Sequence, residues 1–490
     1  MTLFGGRSLN NRAVGSPGTP ASVLPCKRWR RGAFAGLRVF WLACAAWALG
    51  AASAQEWACS NHDPQRTGRT ARVTFDTAPF LKWEAQTSGS ILGSPIVIST
   101  SLTDMAQKDI LAVSCGNAKK VCAYYPGGKL KWERATTGSI WGSPAYAPDG
   151  TVFAADGEGY VYALNFASGA VNWSFRNTTS TLSDERRFLA DVTPRANNSV
   201  VCGDWTQKLC RIDSGVAVAS HALTEYVGAP FTISADGATG YQVLRYTANR
   251  DRLRSINLNT GAQNWEYAGI PGYGGGGMQM AAVCLDEANA RAFFVSNHHE
   301  LRASTLWSVT TAGALRPNFP KTLSMASYCA PALSPDSQTI YLTTLTSAVL
   351  AVDANTAAIK WWYDTGAQAV RGSAVVDGEG KIAFGDSAGT VHCLDAAGNL
   401  IWKYEDPETV ITGTPAILDN GDVIYGTTNG RLRRLTRLPL LIPYVANAAA
   451  MDGTLSPSEW DGATSVVLNG LTPQANPGWN PLNGNAVAEA

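Results

Sequence analysis

The chain has little charge imbalance. Its 490 residues carry 39 Lys and Arg against 38 Asp and Glu, a formal net charge of +1 with the two signs interspersed. That balance argues against nucleic acid or an anionic membrane as the main partner. Histidine is scarce, at five residues, and no Cys-x-x-Cys spacing occurs, so the usual zinc ligand pattern is missing. No Gly-x-Ser-x-Gly elbow is present to seat a hydrolase nucleophile. No apolar run reaches the ~20 residues that a membrane-spanning helix needs. What is plentiful is Trp, with 16 residues, and Gly, with 48, on a chain only 16% charged. That composition suits a turn-rich β protein.

Residues 1–54 contain no Asp or Glu. They carry Arg28, Arg30, Arg31 and Arg38, then an apolar run from Val39 to Gly50, then Ala51-Ala52-Ser53-Ala54. Basic start, short apolar stretch and small-residue exit make a secretory signal cut after Ala54, and a secreted or periplasmic location is expected. Eight cysteines remain after the leader. Cys115/Cys122 and Cys202/Cys210 each flank a short turn between strand-like runs, so each pair is expected to clip a hairpin. Cys284–Cys329 and Cys59–Cys393 are expected as further pairs. Asn172, Asn177 and Asn197 lie in glycosylation sequons, which matter only if the source is eukaryotic.

A phrase recurs every forty to fifty residues: Gly, Trp, a polar stretch, then a small residue, Pro and Ala. Gly128 and Trp132 lead to Ser143-Pro144-Ala145, and Gly398 and Trp402 lead to Thr414-Pro415-Ala416. Trp83, Trp132, Trp173, Trp265, Trp361 and Trp402 mark clear copies. Double-length gaps hide two degenerate copies, near Ala219 and near Pro317, which makes eight units. Within a unit, alternating runs such as Thr151 to Ala155 and Tyr160 to Leu164 are separated by Asp-Gly and Gly turns. Four-stranded antiparallel units at this period read as an all-β, eight-bladed propeller over 55–437. The last unit lacks its own Trp strand. Phe80-Leu81-Lys82-Trp83 can supply it and close the ring, which removes a free sheet edge.

The unit Val161-Tyr162-Ala163-Leu164-Asn165, with Gly169 and Trp173, resembles the tryptophan-docking repeat of the quinoprotein dehydrogenase-like (PQQ-like) eight-bladed propellers. Asn61-His62-Asp63-Pro64-Gln65-Arg66-Thr67-Gly68 resembles their opening segment. The resemblance implies that each Trp packs between adjacent blades. For the enzymes of that superfamily it also implies pyrroloquinoline quinone over Ca²⁺, held beside a vicinal Cys pair. This chain has no adjacent cysteines, and its recurring acids (Asp149, Asp156, Asp236, Asp377, Asp419, Asp422) mostly sit beside Gly, where turn formation accounts for them. No catalytic or metal residue is therefore assigned. Cys44 sits inside the apolar run without a lipobox, so the superfamily's outer-membrane assembly lipoproteins are not the expectation either. Asn297-His298-His299-Glu300 puts its two His on opposite faces of a strand, which disfavours shared capture of a metal. The glycine-rich Gly272 to Gly277 precedes no helix pattern and is no phosphate cradle.

After Arg437 the texture changes to a linker, 438–450. The stretch 451–490, with Asp452-Gly453, Trp460 and Asp461-Gly462-Ala463, resembles the first strand of carbohydrate-binding family-9-like (DOMON-related) sandwiches. It is too short to fold alone, and a truncated domain is expected. The reading is a secreted, monomeric, non-catalytic propeller that binds a protein or polysaccharide at its funnel or blade tops. The alternatives are a PQQ- and Ca-dependent dehydrogenase of alcohols or sugars, or the non-catalytic part of a polysaccharide-active enzyme.

Overall fold

The computed structural model describes residues 57–437 apart from 99–109, 178–187, 189, 197, 204–207, 223–228, 245–249, 272–280, 299–302, 367 and 407–408, together with 441–444 and 464–467. The leader, Gly272 to Gly277 and most of 451–490 lie outside the described residues. Strands form where alternation and turn chemistry say they should. Thr151–Ala155 and Tyr160–Asn165 pair antiparallel around a turn in which Asp156 accepts the backbone N–H of Glu158 and Tyr160, each at 3.0 Å. A carboxylate that caps its own turn in this way explains the Asp-Gly punctuation.

Eight four-stranded antiparallel sheets result. Blade 1 comprises Ile96–Ile98, Ile110–Cys115, Lys120–Tyr124 and Leu130–Ala135. Blades 2 to 7 span 145–176, 193–222, 232–271, 284–323, 332–364 and 375–405. Blade 8 is mixed: Ala416–Ile417, Val423–Gly426 and Arg431–Thr436 take Phe80–Gln86 as their fourth strand. The expected closure is thus made by pairing the two far ends of the ring.

Each repeated Trp sits on a fourth strand and docks on the next blade. Its indole N–H donates to a turn carbonyl there: Trp83 to Pro126, Trp132 to Phe166, Trp265 to Thr311 and Trp361 to Ala396, at 2.7–2.9 Å. Trp173 uses Asn198 Oδ1 instead, at 3.0 Å, and Trp402 uses the Phe75 carbonyl, at 2.8 Å. A glycine at positive φ lies beneath each ring but that of Trp402, which stacks on Phe75, and a Cβ on Gly398 would stand 2.6 Å from Trp361.

The degenerate copies fall close to where the spacing puts them. Ala219 pairs with Arg211 on the rung where other blades hold Trp. Arg211 then donates to the Leu258 carbonyl at 3.0 Å, and in blade 5 Arg316 donates to the Ala354 carbonyl at 2.9 Å. Both carbonyls occupy the place of the Phe166 carbonyl that Trp132 uses in blade 2. An arginine therefore replaces the indole donor in both blades that lack a docking Trp. Beneath Arg316 no ring has to fit, and there blade 6 carries Ala357, at φ 58°, in place of glycine.

The small residue before Pro-Ala also has a task. Backbone N–H groups donate to the side chain of the following blade's counterpart: Ala330 to Ser373, Ser373 to Thr414, Thr414 to Ser94, Ser94 to Ser143 and Ser143 to Asp191, at 2.6–3.1 Å. This relay links blades 6, 7, 8, 1, 2 and 3 near the start of their first strands.

Two expected disulfides are not made. Cys59 packs with Phe153 and Phe188, whereas Cys393 packs with Trp402 and Tyr425 on other blades. Cys284 packs with Phe293 and Leu333, while the Cys329 thiol donates to the Arg371 carbonyl at 3.1 Å. All four are buried free thiols. Cys115 and Cys122 are also thiols, with sulfurs 2.9 Å apart. Cys202 stands opposite Cys210 in the ladder. Of the sequons, Asn172 is exposed and Asn177 is buried, so Asn177 offers no amide to a glycan; Asn197 lies outside the described residues. Part of the expected linker is a strand, since Leu441–Tyr444 pairs with Thr464–Val467.

Gly398→Ala should lower stability by about 1–3 kcal/mol, because the new methyl overpacks the Trp361 ring. Ala357→Gly should be near neutral, since relief of left-handed strain offsets the added freedom of the unfolded chain. Denaturant midpoints of the two variants check this, and equal losses would contradict it.

Candidate functional site

The first strand of every blade faces the channel axis with one edge unpaired, so its backbone groups need partners. Residues 57–75 supply them. The second residue of each inner strand is the contact point. Trp57 exchanges two hydrogen bonds with Val97 of blade 1, and the Ala58 carbonyl accepts from Tyr146 of blade 2. The carbonyls of Pro64, Gln65, Thr67 and Gly68 accept from Ile233, Leu285, Leu333 and Val376 of blades 4 to 7, at 2.8–2.9 Å.

Blade 3 has Pro194 at this position, which has no N–H to give. There the segment uses a side chain: Arg66 donates to Thr193 Oγ1 at 2.9 Å and to the Val192 carbonyl at 3.4 Å. Blade 8 is met by Arg72, which donates to the Ile417 carbonyl at 2.5 Å and pairs with Asp419 at 2.7 Å. The segment thus touches all eight blades. Arg66 is fully buried and lies 3.7 Å from Asp191. A tight turn starts the circuit, with Asn61 and His62 at positive φ and the His62 ring edge-on to Trp57.

At the channel end formed by the loops between first and second strands lies a cavity of about 530 Å³. Its polar lining includes Asp63, Gln65, Thr67, Arg69 and Glu287. Each of these side chains already serves the fold. Gln65 donates to the Ile233 carbonyl, Arg69 to Ser337 Oγ and the Ser334 carbonyl, and Glu287 accepts from Ala235 N–H. Asp63 accepts from Thr67 N–H at 3.0 Å, from Thr67 Oγ1 at 2.5 Å and lies 3.2 Å from His62 Nδ1. Burial alone would raise the Asp63 carboxyl, but the bonds from His62 and Thr67 outweigh it and hold its pKa below the ordinary value.

The opposite channel end is ringed by the residue two places before each relay position: Leu92, Trp141, Tyr328, Arg371 and Thr412 in blades 1, 2, 6, 7 and 8. Trp141 is 52% exposed and Arg371 is exposed.

The sequence singled out the six docking Trp, and all six dock. The recurring acids serve as turn caps at Asp149, Asp156, Asp236 and Asp377, while Asp419 and Asp422 pair with Arg72 and Arg434 instead. Asn297 accepts the Ser327 N–H through its side-chain oxygen; the side chains of His298, His299 and Glu300 lie outside the described residues. Residues 57–75 were missed as an organising element. Their polar, non-alternating run carries neither helix nor strand periodicity, and only its length before the first strand hints at a role.

A quinone with Ca²⁺ finds no matching donors among the described residues. No group of three His, Cys, Asp or Glu side chains converges there. The buried polar atoms of the channel segment that lack a protein partner, Trp57 Nε1, Asn61 Nδ2 and His62 Nε2, are nitrogens, whereas Ca²⁺ takes six or more oxygens. The described residues do not fit that pair.

A family model described as outer membrane protein assembly factor BamB matches residues 65–275 and 302–449. The chain belongs to this family. No curated protein sequence matches it. Among solved structures it is similar to BamB from Moraxella catarrhalis (17% identity, 73% of this chain and 100% of that one, TM-score 0.56). It is also similar to a europium-containing methanol dehydrogenase (13%, 77% and 91%, 0.61). A third is the quinohemoprotein alcohol dehydrogenase from Comamonas testosteroni (10%, 80% and 83%, 0.61). These likenesses show the propeller fold. The family match corrects the expectation, drawn from Cys44, that set the assembly factors aside.

A depressed carboxyl pKa contributes stability that is present above the unfolded value and is lost as pH falls through the folded one. The wild type should therefore be more stable than Asp63→Asn at pH 7, with the gap closing below the ordinary aspartate pKa of about 4. Urea unfolding from pH 7 to pH 3 checks this, and a pH-independent gap would contradict it.

Proposed function

We propose that the protein is a non-catalytic scaffold, working outside the cytoplasm, that holds a protein partner against the channel rim at Trp141 and Arg371. The observation that carries this reading is the division of labour at the axis. The chain's own residues 57–75 occupy the inner edges, and the polar groups around the cavity are spent on the fold. The opposite rim presents an exposed indole and guanidinium on a rigid ring, and aromatic and Arg side chains are the usual anchors of protein interfaces. Membership of a family described as an outer membrane protein assembly factor supports the same class of role. The basic, acid-free leader supports export. Among the described residues no helix is long and apolar enough to cross a membrane.

A photo-crosslinking side chain placed at position 141 in cells should give one adduct of defined protein mass, while the same group at Lys403, on an outer strand, should not. Trp141→Ala combined with Arg371→Glu should weaken that partner's binding at least tenfold with unchanged thermal stability. Dye reduction with an alcohol or sugar on addition of pyrroloquinoline quinone and Ca²⁺ would overturn the reading in favour of an enzyme. Glycan-array binding without a protein adduct would turn it towards a polysaccharide ligand.

A further inference from the structure

Among the described turns between second and third strands, those of blades 2, 6, 7 and 8 start with a side chain that binds back across the hairpin. In blade 2 Asp156 Oδ2 accepts from Tyr162 Oη at 3.0 Å, besides the Gly138 N–H at 2.7 Å. In blade 7 Asp386 Oδ2 lies 3.0 Å from His392 Nε2, while Asp386 Oδ1 caps the turn at Ala388 and Thr390. Both pairs are buried. The ladder fixes which residues of blade 1 take these places. Ala123 pairs with Trp132 as Ala163 pairs with Trp173, so Cys122 stands where Tyr162 does. Cys115 pairs with Lys120 across the turn and stands where Asp156 does, opposite Tyr160.

Blade 1 thus has two sulfurs where blades 2 and 7 have a carboxylate and its partner. They are buried and 2.9 Å apart. A thiol is a weak donor and a weak acceptor, so two thiols are a poor substitute for a charge-assisted bond between buried groups. A covalent bond is the one link that two cysteines make well. The turn between them, Gly116–Ala118 followed by Lys119 in the left-handed region, brings the strands round without a capping side chain.

We propose that Cys115 and Cys122 form a disulfide that replaces the cross-hairpin hydrogen bond of blades 2 and 7. Two S–H bonds break and one S–S bond forms. The two electrons and two protons pass to a small-molecule or protein disulfide, which leaves as two thiols after a mixed-disulfide step. Because both sulfurs are buried in the folded ring, exchange takes place while the hairpin is still open.

The test refolds the full reduced chain in oxidised and reduced glutathione, alkylates remaining thiols, and digests with trypsin. Cleavage after Lys119 and Lys120 separates the two cysteines, so the bond must appear as a joined pair of peptides, 109–119 with 121–129, that reductant splits. Both peptides recovered alkylated from folded protein would overturn the proposal, as would either cysteine joined to a different one. Cys115→Ser should lower the melting temperature of oxidised protein and leave that of reduced protein unchanged. Cys115→Asp with Cys122→Tyr should recover at least half of that loss, by restoring the blade 2 pair. If the single variant costs nothing in oxidising buffer, or costs the same in both buffers, the link is not the one described.

Discussion

Eight sheet edges that face one another across a narrow axis cannot all pair with each other. Each inner strand offers an unpaired backbone edge, and an unpartnered N–H or C=O buried at the axis is costly. The chain meets this constraint with its own first folded residues. From Trp57 to Arg72 the backbone runs past every blade and gives its carbonyls to the N–H groups at one repeated position. Where that position is Pro194, and again at Ile417, a guanidinium takes over. The rest of the architecture is arranged around this circuit. The same segment leads directly into Phe80–Gln86, which completes blade 8, so one stretch of about thirty residues both fills the axis and closes the ring.

Between the axis and the perimeter, contact from blade to blade repeats in two layers. Near the axis, Ser and Thr hydroxyls accept the N–H of the preceding blade. Near the perimeter, Trp rings lie on glycines and donate to turn carbonyls. The perimeter layer tolerates replacement as long as a donor reaches the same carbonyl, which is what Arg211 and Arg316 do. On the proposed reading, Trp141 and Arg371 carry the contact with a partner.

Much of this was legible in the residues. The Trp ruler located every blade, including the two without a docking Trp, because packing between identical units demands the same large side chain at the same rung. The Asp-Gly turns were legible because their chemistry is local. Residues 57–75 were not, because their partners lie 40 to 350 positions away and impose no period on the sequence. The pairing of Cys284 and Cys59 failed for a related reason. Even numbers of cysteines say nothing about distance, and each of these four sulfurs is buried in a separate blade interface. The two hairpin pairs do come together, Cys202 opposite Cys210 in the ladder and the Cys115 and Cys122 sulfurs 2.9 Å apart, because short turns constrain geometry locally. Arg211 and Arg316 could have been found by asking what replaces the indole donor.

The central claim is that residues 57–75 hold the inner edges of all eight blades. Hydrogen exchange on a chain beginning at Asp76, compared with the chain that retains the segment, tests it most directly. The account predicts that the amides of Tyr146, Ile233, Leu285, Leu333 and Val376 lose protection together in the shortened chain, with the ring loosened or unfolded as a unit. If those five amides stay as protected as before, and the shortened ring unfolds at the same denaturant concentration, the account is wrong.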